Sequence, residues 1–88
     1  MDQQRILDEL LALLKGAGVK VRKEAMGGNA GGLCLVKGQY LLFYDTDSPL
    51  AETSVRCAQA VTKLVDIEAV YVRPEVRQFI EHHANSVA

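Results

Sequence analysis

Tryptophan is absent from the 88 residues, proline and cysteine occur twice each, and no charge predominates: ten Lys and Arg stand against eleven Asp and Glu, a net −1. Each shortage excludes something. Cys34 and Cys57 are too few for a disulfide framework, and both sit among apolar neighbours, where a free thiol behaves as a small hydrophobe, as expected of a reducing compartment. Near-neutral charge argues against a nucleic-acid binder that relies on a summed positive field. The apolar run at 6–14 is interrupted by Asp8 and Glu9 and is followed by no small-residue cleavage site. No stretch approaches the roughly 18 apolar residues of a membrane span. The expected location is therefore cytoplasmic, with no membrane partner.

What is present is the balance of a globular protein, 49% hydrophobic and 24% charged. A chain of this size holds one core, so 1–84 reads as a single domain and 85–88 as a tail that frays. Its whole stability is on the order of 4–13 kcal/mol, which leaves little tolerance for an unpaired buried charge. Basic residues gather in the first half through Arg5, Lys15, Lys20, Arg22, Lys23 and Lys37, while the second half is acidic.

Asp2 is placed to cap a helix whose apolar positions Ile6, Leu7, Leu10, Leu11 and Leu14 recur at helical spacing, with Gly16 and Gly18 to stop it. From 19 to 26 charged and uncharged residues alternate, the pattern of an edge strand defended by charge. The glycine-rich stretch 27–32 breaks that strand. Two apolar strands follow, 33–36 and 39–44, joined by the two-residue turn Lys37-Gly38, which sets Val36 opposite Gln39. Ser48 as cap and Pro49 as first residue predict a second helix with Leu50, Cys57, Ala58, Val61, Leu64 and Val65 inward. Residues 69–72 read as a short extended run, and Pro74 opens a third helix carrying Val76, Phe79 and Ile80. The expected fold is α+β: one small antiparallel sheet of three strands, with 69–72 as a fourth, flanked by three helices in the order α-β-β-β-α-(β)-α.

The hairpin register sorts side chains by face. Cys34, Val36, Leu41 and Phe43 point one way, and Leu33, Leu35, Tyr40, Leu42 and Tyr44 the other. Both rows are apolar, so both faces call for cover by helices or by another chain. The row of Leu33, Leu35, Tyr40, Leu42 and Tyr44 is the expected interface.

Three constellations could carry chemistry. The strand ending in Asp45-Thr46-Asp47 resembles the first motif of haloacid-dehalogenase-type phosphatases, in which one carboxylate attacks phosphorus and the second serves as acid and base. That chemistry also needs further magnesium-holding carboxylates, a lysine and a parallel α/β core; the alternative is a polar turn leading into the second helix. Gly27, Gly28, Asn29, Gly31 and Gly32 could present amides to a ligand, with Asp45 and Asp47 holding a divalent cation. Against this, the loop has neither GxGxxG nor a Walker lysine, and a strand rather than a helix follows it. Cys34, Cys57, His82 and His83 are of zinc-ligating types without zinc spacing, since adjacent helical residues point about 100° apart. No metal, cofactor or catalytic residue is assigned. His83 is expected along the core edge beside Phe79, with His82 solvated.

Between Gly18 and Glu81, the Gly-Gly-Leu-Cys, the Lys-Gly turn, Pro49-Leu50-Ala51-Glu52 and the run from Tyr71 to Arg77 resemble a set of short bacterial proteins of unassigned function. The sequence of helix, strand, glycine-rich loop, hairpin and Pro-started helix is also similar to the front half of repressor-cleaving zinc metallopeptidases. In those enzymes the helix after the hairpin bears HExxH; here it reads Glu52-Thr53-Ser54-Val55-Arg56-Cys57-Ala58, so the likeness implies a scaffold without the metal site. The expected function is a non-catalytic interaction or oligomerisation module, a homodimer or a partner of another protein. The rivals are a small enzyme or ligand binder using the glycine loop with Asp45 and Asp47, and a nucleic-acid accessory contacting phosphates through Lys20, Arg22 and Lys23.

Overall fold

The computed structural model describes residues 2–28 and 32–84. Helix α1 (Gln3–Gly16) starts where the Asp2 carboxylate accepts the Arg5 N–H at 2.8 Å, satisfying a donor that the first turn cannot. It stops because Gly18 takes φ +88°. That left-handed step lets the Val19 N–H return to the Leu14 carbonyl and the Gly18 N–H to that of Lys15, both at 3.0 Å, the closure for which glycine is suited. Val19 is thereby buried with Leu14 at the start of the sheet.

The sheet comprises β1 (Lys20–Glu24), β2 (Gly32–Val36) and β3 (Gln39–Asp45), in the spatial order β1-β3-β2. Lys37 (φ +51°) and Gly38 (φ +79°) form the two-residue turn, and Val36 pairs with Gln39 as its spacing requires. The sheet is mixed where an antiparallel one was expected: β1 runs parallel to β3, with Val21 beside Leu42 and Arg22 beside Phe43. The hairpin fixes β2 antiparallel to β3, and the connection after β1 crosses the far end of β3 to reach β2 on the other side. The seven-residue, aromatic-rich β3 thus takes the centre, and the charged β1 and the short β2 take the edges.

The helices of the described residues share one apolar cluster with one face of the sheet. Leu42 of β3, with Val21, Leu33 and Tyr44 against it, meets Leu7, Leu10, Leu11 and Leu14 of α1 in one apolar cluster. Helix α2 (Leu50–Leu64) adds Cys57, Ala58, Ala60 and Val61, and α3 (Pro74–Ala84) adds Val76 and Ile80. The element order and the α+β class match the expectation.

Two local expectations give way. Ser48 does not cap α2, which begins at Leu50 without a side-chain cap; its hydroxyl donates instead to the Gly28 carbonyl at 3.5 Å, and its N–H donates to the Asp45 carbonyl at 3.1 Å, closing the turn after β3. Residues 69–72 form no strand. The Ala69 N–H turns back to the Asp66 carbonyl, and the Arg77 guanidinium holds the Ile67 carbonyl at 2.9 Å and Glu68 at 3.1 Å. The segment is so held against the helices, with Val72 tucked in and Val70 and Tyr71 exposed.

Candidate functional site

The glycine loop and the two aspartates, chosen separately as ligand candidates, do come together. Gly27 (φ +79°) and Gly28 (φ +84°) turn their amides toward the end of β3, a conformation open to glycine. Asp45 Oδ1 accepts the Met26 and Asp47 N–H groups at 2.9 Å, and Oδ2 accepts the Gly28 N–H at 2.8 Å. Asp47 Oδ2 takes the Gly27 N–H at 2.9 Å. Successive amides of this kind make an anion-binding concavity; here the anion is the chain's own Asp45, only 2% exposed. The arrangement is a clasp that fastens the crossing connection to β3. Gly32 stands apart as the first residue of β2, and the candidates Asn29 and Gly31 lie outside the described residues.

The expected interface row divides. Leu42 is 2% exposed and belongs to the core, with Leu33 and Tyr44 packed against it. Those three are therefore taken up by the protein's own helices, which leaves Leu35, 59% exposed, and Tyr40 at the hairpin end. Among the described residues, the opposite row is the one outside the helices' apolar cluster. Cys34 is exposed, Val36 is 50% exposed, and Leu41 and Phe43 are half-buried yet outside the apolar cluster. Pairing sets Lys20 beside Leu41, Arg22 beside Phe43 and Glu24 beside Asp45 along one flank. The open face is thus an apolar strip with a charged border on the β1 side and none on the β2 side.

Sequence reasoning called for cover on both faces and chose the other row as the interface, although a signal pointed to this one. The charged row of β1, Lys20, Arg22 and Glu24, has to face water, and whichever row of β3 lies beside it shares that exposure. The register of β1 on β3 was needed to use the signal, and nothing local specifies it.

The remaining candidates disperse. Cys57 is buried in α2 while Cys34 is exposed on β2. Burial pushes the Cys57 thiol up to about 11, because a thiolate there would lose its hydration. His83 stacks near Phe79 with ring centroids 4.4 Å apart, and His82 is exposed beside it. Among the described residues no group of three or more His, Cys, Asp or Glu is placed to hold a metal ion. Lys23 lies over the Tyr44 ring at 5.6 Å, on the helix side, whereas Arg22 pairs with Glu24 at 3.3 Å. Lys20 and Arg22 therefore lie on one face of β1 and Lys23 on the other. On the helical side a groove of about 370 Å³ runs between α1 and the segment before α3, bridged by the Arg73–Glu9 ion pair at 2.6 Å. No helix of the described residues is long and apolar enough to cross a membrane.

No family model matches the chain, and neither a curated protein nor a solved structure matches it.

Proposed function

We propose that the chain is a non-catalytic protein-interaction module that works as a homodimer, the second copy meeting the apolar β2 side of the sheet that its own helices leave open. One observation carries the reading: the strand β2 and the adjoining row of β3 present Cys34, Val36, Leu41 and Phe43 outside the apolar cluster that the helices of the described residues form, while Leu35 on the other face of β2 is largely exposed. Contiguous apolar surface on so small a domain is typical of a protein-binding region, and a symmetric pair is the commonest way to bury it. The reading is further supported by the clasp. Asp45 and Asp47, the pair with the greatest chemical potential, are committed to the chain's own amides. Helix α2, where the metallopeptidase likeness would require two histidines, carries none, which fits a scaffold retained without its metal.

Light scattering of the purified chain, diluted from high to low micromolar concentration, tests the proposal. The expected mass is twice that of the chain at the upper end, falling toward one chain on dilution. A mass of one chain throughout overturns it.

A further inference from the structure

We propose that two copies join edge to edge along β2, antiparallel, about a twofold axis that passes beside Cys34. This rests on the homodimer reading above and specifies how the copies meet.

The phase of the sheet decides which groups of β2 are free. A two-residue turn closes on a hydrogen-bonded pair, so Val36–Gln39, Cys34–Leu41 and Gly32–Phe43 are the bonded pairs of the hairpin. Leu33 and Leu35 sit in the alternate pairs and turn their N–H and C=O groups outward. The other side of β3 agrees with this phase, since the Thr46 N–H, an even-numbered position, reaches across to the Glu24 carbonyl at 3.0 Å. Among the described residues no strand lies beyond β2.

That edge is complementary to itself. Cys34 is the middle residue of Gly32–Val36, so a twofold axis there sets Leu33 opposite Leu35 of the second copy and Leu35 opposite its Leu33. Every outward donor then meets an outward acceptor. The side chains agree as well. Leu35, 59% exposed, gains Leu33 of the second copy as its cross-strand neighbour. Val36 stands opposite Gly32 of the second copy, where the missing side chain leaves room against the neighbouring Phe43. The other edge is defended by charge. Strand β1 carries Lys20, Arg22, Lys23 and Glu24, and pairing it about its own middle residue sets Arg22 directly against Arg22 at the centre, with Lys20 opposite Glu24 at the ends, so charged side chains would have to be brought together along the whole strand. Strand β2 has no charged residue to block an approaching strand.

The pairing has a chemical signature. Cys34 would face Cys34 in a non-hydrogen-bonded pair, with Cα atoms about 4.5 Å apart, inside the range of about 4.4–6.8 Å that a disulfide spans. Treating the reduced chain with copper(II)-phenanthroline removes two electrons and two protons from the facing thiols and forms the S–S bond. Covalent dimer should form at least tenfold faster through Cys34 than through a cysteine at Lys20→Cys in a Cys34→Ser background, on the same face but the far edge. Cys34→Ser alone should abolish the covalent dimer and leave the scattering mass unchanged. Leu35→Pro, which removes an N–H that β3 does not use, should raise the dissociation constant at least tenfold, with circular dichroism reporting whether it folds; should it not fold, the ratio of cross-linking rates decides alone. A dimer by scattering that cross-links no faster at Cys34 than at the Lys20→Cys position overturns edge pairing and leaves the homodimer standing. A mass of one chain throughout removes both.

Discussion

Leu41 and Leu42 are neighbours on the same strand, identical in chemistry, and end in different surroundings. Leu42 is 2% exposed, surrounded by α1 and its companions, whereas Leu41 lies half-buried on the face without helices. The difference shows that an apolar row does not decide its own burial. The apolar cluster of the helices takes in one row of β3, so the second row has to stay open or find cover elsewhere. Among the described residues the open row is closed at its far end, where Met26 and Gly28 donate to Asp45.

The comparison breaks if the two leucines respond alike to truncation. Leu42→Ala should remove about 3 kcal/mol of unfolding free energy, the transfer and cavity cost of a core leucine. Leu41→Ala should cost about 1 kcal/mol, since water already reaches its surroundings and the gap left is shallow. Urea unfolding under dimer-free conditions measures both. Equal losses would mean that the open face is as well packed as the helical one.

Asp45 sharpens the contrast, because it shares the open row with Leu41 and Phe43 yet is buried by the chain itself. Asp45→Ala leaves the Met26, Gly28 and Asp47 amides without their acceptor and should cost about 2 kcal/mol, tempered by water entering a site near the surface. Asp47→Ala, which gives up one bond to Gly27 at an exposed position, should cost under about 1 kcal/mol. Magnesium should not raise the melting temperature of the unaltered chain; a cation that did so in the millimolar range would make these carboxylates a binding site instead of a clasp.

The pattern of the sequence contains much of this fold and the opposite of part of its surface. Asp2 and Gly18 bound α1 where their chemistry says they should, and Lys37-Gly38 sets the hairpin register, because caps and two-residue turns are decided by the residues that form them. The parallel pairing of β1 with β3 is not decided locally. It follows from which strand occupies the centre, a matter of how the whole chain closes, and an error there passes directly to the choice of exposed face. Ser48 looked like a cap because its type favours caps, but its hydroxyl turns to the Gly28 carbonyl of the clasp and away from the first turn of α2. The run at 69–72 looked like a strand because Val70, Tyr71 and Val72 favour strands, but Arg77 holds the preceding residues against the helices. The meeting of the glycine loop with Asp45 and Asp47 could be suspected from residue types. That each satisfies the other required coordinates, since amides and carboxylates that bind a ligand and those that bind one another have the same composition.

The last comparison is between the two cysteines, one on each side of the divide. Cys34 on the open face should react with a thiol reagent in the folded protein, while Cys57, 1% exposed, should react only at the rate of unfolding. Burial also raises the Cys57 pKa from 9.0 to about 11. A raised value means that the folded state holds the proton more tightly than the unfolded chain, so the contribution is whole below pH 9 and is lost as pH climbs from 9 toward 11. At pH 10 the unfolded thiol is mostly ionised and the folded one is not, which corresponds to about 1.4 kcal/mol lost relative to neutral pH. Other groups titrate in the same range, so the quantity to measure is the difference between the unaltered chain and Cys57→Ala in denaturant unfolding at pH 8 and pH 10. The variant starts lower because of its cavity but should fall less steeply by that amount. Parallel slopes would mean that water reaches Cys57 beneath α2, and the helical face would then be less closed than the core around Leu42 implies.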